Sequence, residues 1–83
     1  MKKIKYFTAS WCGPCRSFKP VIQELIEEGN DIEIIDIDEN LDKASQYDIQ
    51  SIPTLIFEKD GEPRHRSSGV IQKFEIESIL SNL

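Results

Sequence analysis

No stretch of this sequence is apolar for long enough to cross a bilayer; none approaches the ~18–20 residues that requires. Basic residues are outnumbered, 10 Lys and Arg against 15 Asp and Glu, for a net charge of −5 and a pI near 4.8. That argues against nucleic acid, whose binding needs a basic face to displace counterions. The only basic cluster, Arg64-His65-Arg66, reads as a solvated strand face. Histidine occurs once and cysteine twice. Zinc usually takes four ligands, so Cys12, Cys15 and His65 would need a second copy or carboxylates to complete a shell. The apolar run after Met1-Lys2-Lys3 is too short for a secretory signal. A leaderless chain is expected in a reducing cytoplasm, where a lone cysteine pair is catalytic or metal-binding rather than structural. There is no internal repeat and no linker. Eighty-three residues then make one domain, 1–83, near the lower size limit for a core without staples.

What is present centres on Trp11-Cys12-Gly13-Pro14-Cys15, which holds both cysteines between a strand-like run and a helix-like one. A helix starting near Cys12 puts Cys12 and Cys15 one turn apart on one face. Their Cα atoms are then about 5–6 Å apart, within disulfide range. Cys12 falls in the first turn, where free backbone N–H groups and the positive end of the helix dipole favour a thiolate. An unperturbed cysteine is only about 3% thiolate at neutral pH, so this placement enriches the attacking species. Cys15, one turn in, should be the more buried and stay a thiol. Gly13 lets the chain turn tightly and a partner approach, and Pro14 suits the first helical turn. The chemistry these features suggest is a reversible dithiol–disulfide cycle: Cys12 attacks a substrate disulfide and Cys15 resolves the mixed disulfide. Two blander readings stand beside it. A stapling disulfide would close only four residues, worth about 2 kcal/mol. Half of a metal site is the other.

Along the chain, Lys3–Thr8 reads as a central strand, bulky on both faces. Residues 12–28 read as a helix with Cys15, Phe18, Ile22, Leu25 and Ile26 on its buried stripe. Pro20 predicts a kink near Arg16–Ser17. Ile32–Ile37 is a second strand, parallel to the first as a βαβ unit requires, and Leu41–Tyr47 a short helix. Leu55–Glu58 is a third strand. The Asp60-Gly61 pair predicts a tight hairpin into a fourth strand that runs to about Ser67 and ends at Gly69. Ile71–Leu83 reads as an amphipathic helix through Ile76, Ile79, Leu80 and Leu83. The order is β-α-β-α-β-β-α, an α/β domain.

Taken together, these residues resemble the thioredoxin family. Trp-Cys-Gly-Pro-Cys is its typical motif, and Ile52-Pro53-Thr54 stands where it carries a cis-proline loop. Asp36-Ile37-Asp38-Glu39-Asn40 resembles its loop after the preceding strand, and Gly69 the glycine after the last strand. The resemblance implies a minimal thioredoxin fold, a four-stranded mixed sheet flanked by three helices, lacking the family's N-terminal strand and helix. It implies a protein-disulfide reductase with Cys12 as nucleophile, Cys15 as resolving cysteine and a cis Pro53. Trp11, Gly13, Pro14, Ile52, Gly69 and Val70 would form the apolar ring where partners dock. The expected donor is a thioredoxin reductase using NADPH; no resident cofactor is implied, and the expected state is a monomer.

The departures matter too. The family's buried aspartate, six residues before the first cysteine, is Tyr6 here, and its lysine on the next strand is Ile34. That aspartate is thought to help take the resolving thiol's proton. Its loss predicts a resolution step displaced to alkaline pH. The aromatic expected two residues further on is Thr8. A glutathione-fed, glutaredoxin-like role is the near rival. The motif argues against it: glutaredoxins usually carry Cys-Pro-Tyr-Cys, and Val70-Ile71 follows Gly69 where they have a Gly-Gly-x-Asp-like segment. A non-catalytic metal-binding or scaffold module is the rival from another class.

Overall fold

Isoleucine, phenylalanine and tyrosine alternate on both faces of the first strand, and the fold uses both faces. The computed structural model describes residues 1–83. It contains β1 (Lys2–Thr8), α1 (Gly13–Glu27), β2 (Ile32–Asp36), α2 (Leu41–Gln46), β3 (Thr54–Lys59), β4 (Glu62–Ser68) and α3 (Lys73–Ser81). The sheet order is β2-β1-β3-β4. β1 pairs in parallel with β2, Tyr6 opposite Ile34 and Thr8 opposite Asp36. β3 runs antiparallel to both β1 and β4. The element order and the parallel β1–β2 pair are those read from the sequence.

One face of the sheet packs on α1 and α3 through Ile4, Tyr6, Phe18, Ile22, Leu25, Leu55, Phe57 and Ile76. On the other face Phe7, Ile35 and Ile56 pack with Tyr47, Ile49, Ile37 and Ile52. β3 is buried continuously from Thr54 to Glu58. Glu58 is thus a charge in the core, satisfied by Tyr47 Oη at 3.2 Å and Lys5 Nζ at 3.7 Å. The Lys5 ammonium also lies 5.1 Å from the centre of the Tyr47 ring. The Tyr47 hydroxyl first, with Glu58 and Glu33 after it, holds Lys5 above the usual ammonium range, against the opposing cost of burial.

Boundaries move by a residue or two, as hydrogen-bonded ends usually do. Three shifts have physical content. Cys12 lies outside α1: its backbone is extended, at φ −86° and ψ 112°, and it caps the helix. Ile26 is half-buried, so the stripe narrows to Cys15, Phe18, Ile22 and Leu25. α3 begins at Lys73, two residues late, where the Gln72 N–H donates to Glu75 Oε1 at 3.3 Å. α1 continues through Pro20. Pro20 has no N–H for the Arg16 carbonyl, and both residues are exposed, so water can take its place. The hairpin forms at Asp60-Gly61, both at positive φ (53° and 83°), the conformation a two-residue turn between twisted strands needs.

Candidate functional site at the carboxyl ends of β1 and β2

The two cysteines sit where the parallel strands β1 and β2 both end, the position at which α/β sheets commonly carry their sites. Ala9 and Ser10 lead from β1 into the cap, and the chain turns when Cys12 N–H donates to the Ala9 carbonyl at 3.2 Å. Cys12 and Cys15 are joined as a disulfide with Cα atoms 5.2 Å apart. As N-cap, the Cys12 sulfur accepts the Cys15 N–H at 3.2 Å. A side-chain acceptor at this position satisfies a free helix donor, and a thiolate would gain most from it because the donor faces negative charge.

Both cysteines are buried, at 5% exposure for Cys12 and 3% for Cys15. The expected difference between them is therefore slight in the oxidised state. They form a small cluster with Ala9, packed against Ile37 and Ile52.

Pro53 is buried and its bond to Ile52 is cis. The Ile52 carbonyl oxygen lies 3.9 Å from Cys12 Sγ, so the backbone of this loop flanks the sulfurs. Gly69, at φ 87°, donates its N–H to the Pro53 carbonyl at 2.8 Å, bringing the end of β4 to the same place. Trp11 is 62% exposed, with its indole N–H donating to Asp38 Oδ2 at 2.8 Å. Val70 is also exposed, so neither Trp11 nor Val70 is spent on core packing. Gly13 and Pro14 open α1 beside the cysteines, Pro14 on the solvent side.

The sequence reading missed three supporting contacts. Asp38 fixes the Trp11 ring, Ile37 packs behind the sulfurs, and Arg66 donates to the Tyr47 and Asp48 carbonyls. The last holds the end of α2, from which the chain runs to Ile52-Pro53. Arg64, His65 and Arg66 are exposed, as a solvated strand face should be, yet Arg66 also has this structural duty. Only Asp38 left a signal, in the Asp-rich loop.

Tyr6 is buried beneath the site and donates its hydroxyl to the Cys15 carbonyl at 3.3 Å. Burial pushes its phenol above the ordinary range. Beside it a cavity of about 380 Å³ is lined by Tyr6, Thr8, Cys15, Lys19, Ile34 and Asp36, among others. A larger groove of about 700 Å³ runs along Arg64–Arg66 and Gln46–Asp48 but touches neither cysteine. Electron exchange between sulfurs needs surface contact at the pair rather than an enclosed chamber, so the cysteine end is the better candidate. No group of three or more His, Cys, Asp or Glu side chains is placed to hold a metal, and no helix is long and apolar enough to cross a membrane.

Comparisons with known proteins agree with this geometry. The family model described as Thioredoxin matches residues 2–82. A thioredoxin of Staphylococcus epidermidis is 42% identical over 81 residues, covering 94% of this chain and 78% of the relative. A Staphylococcus aureus thioredoxin is 44% identical over 77 residues, covering 89% and 74%. Among solved structures, a thioredoxin variant from Halobacterium salinarum superposes with a TM-score of 0.91 at 32% identity, covering 98% of this chain and 73% of that one. A disulfide-forming pair at the cap of α1, in a sheet of this order and with these relatives, leaves one conclusion: the chain belongs to the thioredoxin family and is a thiol–disulfide oxidoreductase.

Proposed function

We propose that the chain reduces protein disulfides, with Cys12 as nucleophile and Cys15 as resolving thiol. The observation that carries this is the seating of the disulfide: the pair is buried, yet bordered by exposed apolar side chains and by the Ile52 carbonyl 3.9 Å from Cys12 Sγ. An extended segment of a partner can pair with that backbone as an added strand would. Trp11, Gly13, Pro14, Ile52, Pro53, Gly69 and Val70 form its dock. In the cycle, the Cys12 thiolate attacks a partner disulfide and one partner sulfur leaves. The Cys15 thiolate then attacks Cys12 and releases the second. Two electrons pass from the dithiol to the partner, and the protein is left as the disulfide seen here. A thioredoxin reductase-like enzyme drawing on NADPH restores the dithiol. The protein needs no resident cofactor and works as a cytoplasmic monomer, without nucleic acid or membrane.

The test is a choice of donor. Insulin reduction is followed with NADPH and thioredoxin reductase, then with glutathione and glutathione reductase. At equal protein concentration the first pair should give a rate at least about tenfold higher. Equal rates, or a faster glutathione system, would replace this reading with a glutathione-coupled one.

A further inference from the structure

The resolving step requires Cys15 to lose a proton, and the group beneath it cannot take one. Tyr6 is neutral, buried and already donating to the Cys15 carbonyl. The cavity beside Cys15 offers another route. Its volume, about 380 Å³, is ample for several waters at about 30 Å³ each. Its ionisable and charged groups are Tyr6 from β1, Arg16 and Lys19 from α1, and Asp36 from β2. Asp36 is the single carboxylate among them. It is half-buried, and its Oδ1 accepts the Asp38 N–H at 2.8 Å, which fixes the side chain. Its other oxygen makes no hydrogen bond or ion pair within the chain.

We propose that Asp36 accepts the Cys15 proton through water in this cavity during resolution. This rests on the dithiol cycle above. In the mixed disulfide, the Cys15 S–H gives its proton to a cavity water, which passes one to Asp36. The Cys15 thiolate attacks Cys12 Sγ, the Cys12–Cys15 bond forms, and the bond from Cys12 to the partner breaks. The partner sulfur departs with the electron pair and takes a proton from solvent. Arg16 and Lys19 at the rim favour the transient thiolate by charge.

The sign of the effect separates this role from simple electrostatics. A carboxylate acting only as a fixed charge disfavours a nearby thiolate, so its removal would speed resolution. A proton acceptor's removal slows it. Asp36→Asn keeps a side-chain oxygen for the Asp38 N–H and is the variant of choice, with Asp36→Glu as the rescue. The reduced proteins are mixed with excess Ellman's reagent. Cys12 attack releases one coloured thiolate at a rate that rises with reagent, and resolution releases a second at a rate that does not. In Asp36→Asn the second phase should slow about tenfold at pH 7, less than the roughly 10²–10⁴-fold of a directly placed general base because the transfer is indirect. The gap should close towards pH 9 as hydroxide takes over, while the first phase stays within twofold and Asp36→Glu recovers most of the rate. A second phase that is unchanged or faster overturns the proposal, as does an equal slowing of both phases. If Cys12→Ser keeps the first phase, the dithiol cycle itself fails rather than the role of Asp36.

Discussion

Replacing Cys15 with serine should stall the protein after its first chemical step. Cys12 keeps its cap position and still attacks, so each protein molecule should end as a mixed disulfide with its partner, stoichiometric and stable to gel electrophoresis without reductant. Multiple turnover should fall by about 10³-fold or more. The estimate follows from proximity. Cys15 lies one helical turn away, with its Cα 5.2 Å from that of Cys12. Well-oriented intramolecular groups reach effective concentrations of about 10⁵ M or higher. Even about 1 M would exceed by a thousandfold the roughly millimolar external thiol that must rescue the variant. Cys12→Ser should lose the trapping as well, since no helix N–H faces the Cys15 sulfur as the Cys15 N–H faces that of Cys12. Turnover surviving in Cys12→Ser, or no trapped adduct in Cys15→Ser, would reverse the assignment of roles. Cys12→Ser is also the control for adducts formed on Cys15.

The largest effect on stability should come from Phe18→Ala. Phe18 is fully buried one turn beyond Cys15 and meets the Tyr6 ring edge-on, with centres 5.8 Å apart. It joins the helix bearing the cysteines to Ile4, Leu55, Phe57 and Ile76. Buried Phe→Ala changes cost about 3–5 kcal/mol, lost transfer energy plus the cavity left behind. A domain of this size has only about 4–12 kcal/mol to lose. The melting temperature should drop by roughly 12–40 °C. Phe74, which is 64% exposed on α3, is the control: Phe74→Ala should stay within about 0.5 kcal/mol. Urea titrations of both variants check the contrast. A loss below about 1 kcal/mol for Phe18→Ala would mean that the helix is not anchored by this side chain.

These two residues also show what the sequence makes legible. Phe18 and Cys15 fall on one helical stripe, and Cys12 and Cys15 on one turn, so short-range spacing places them. The strand and helix order is likewise written in local periodicity. The helix start was displaced by one residue because cysteine is not among the usual capping residues, yet its sulfur accepts the Cys15 N–H as a serine oxygen would. Pro53 needed more than local pattern. A cis bond before proline is uncommon, about 5–6% of such bonds, and only the resemblance of the whole chain singled it out. The Lys5–Glu58–Tyr47 group was invisible. Local pattern places Lys5 and Glu58 on strands but does not show that Tyr47, remote in sequence, closes over them. The Arg66 contact with the end of α2 and the cavity joining Cys15 to Asp36 are hidden for the same reason. Each depends on elements that meet only after folding.

The lost aspartate ties these points to function. The neutral Tyr6 removes a buried charge from beneath Cys15, and Ile34, opposite it in register, is exposed on the cavity wall where the family has a lysine. The pair of changes is self-consistent, since a lysine there would have no acid to meet. The dithiol is then left with its helix cap and a cavity that Cys15 shares with Asp36.

The proposed function requires Cys12 and Cys15 to form a reversible, reducing redox couple. Its most direct test is the reduction potential of the pair, measured by equilibration against dithiothreitol and glutathione with the thiol and disulfide forms separated by mass. The expected value is about −270 mV, the range typical of thioredoxins, at which the dithiol reduces ordinary protein disulfides. A value near about −200 mV or above would contradict it and assign the pair to a glutathione-coupled or oxidising role.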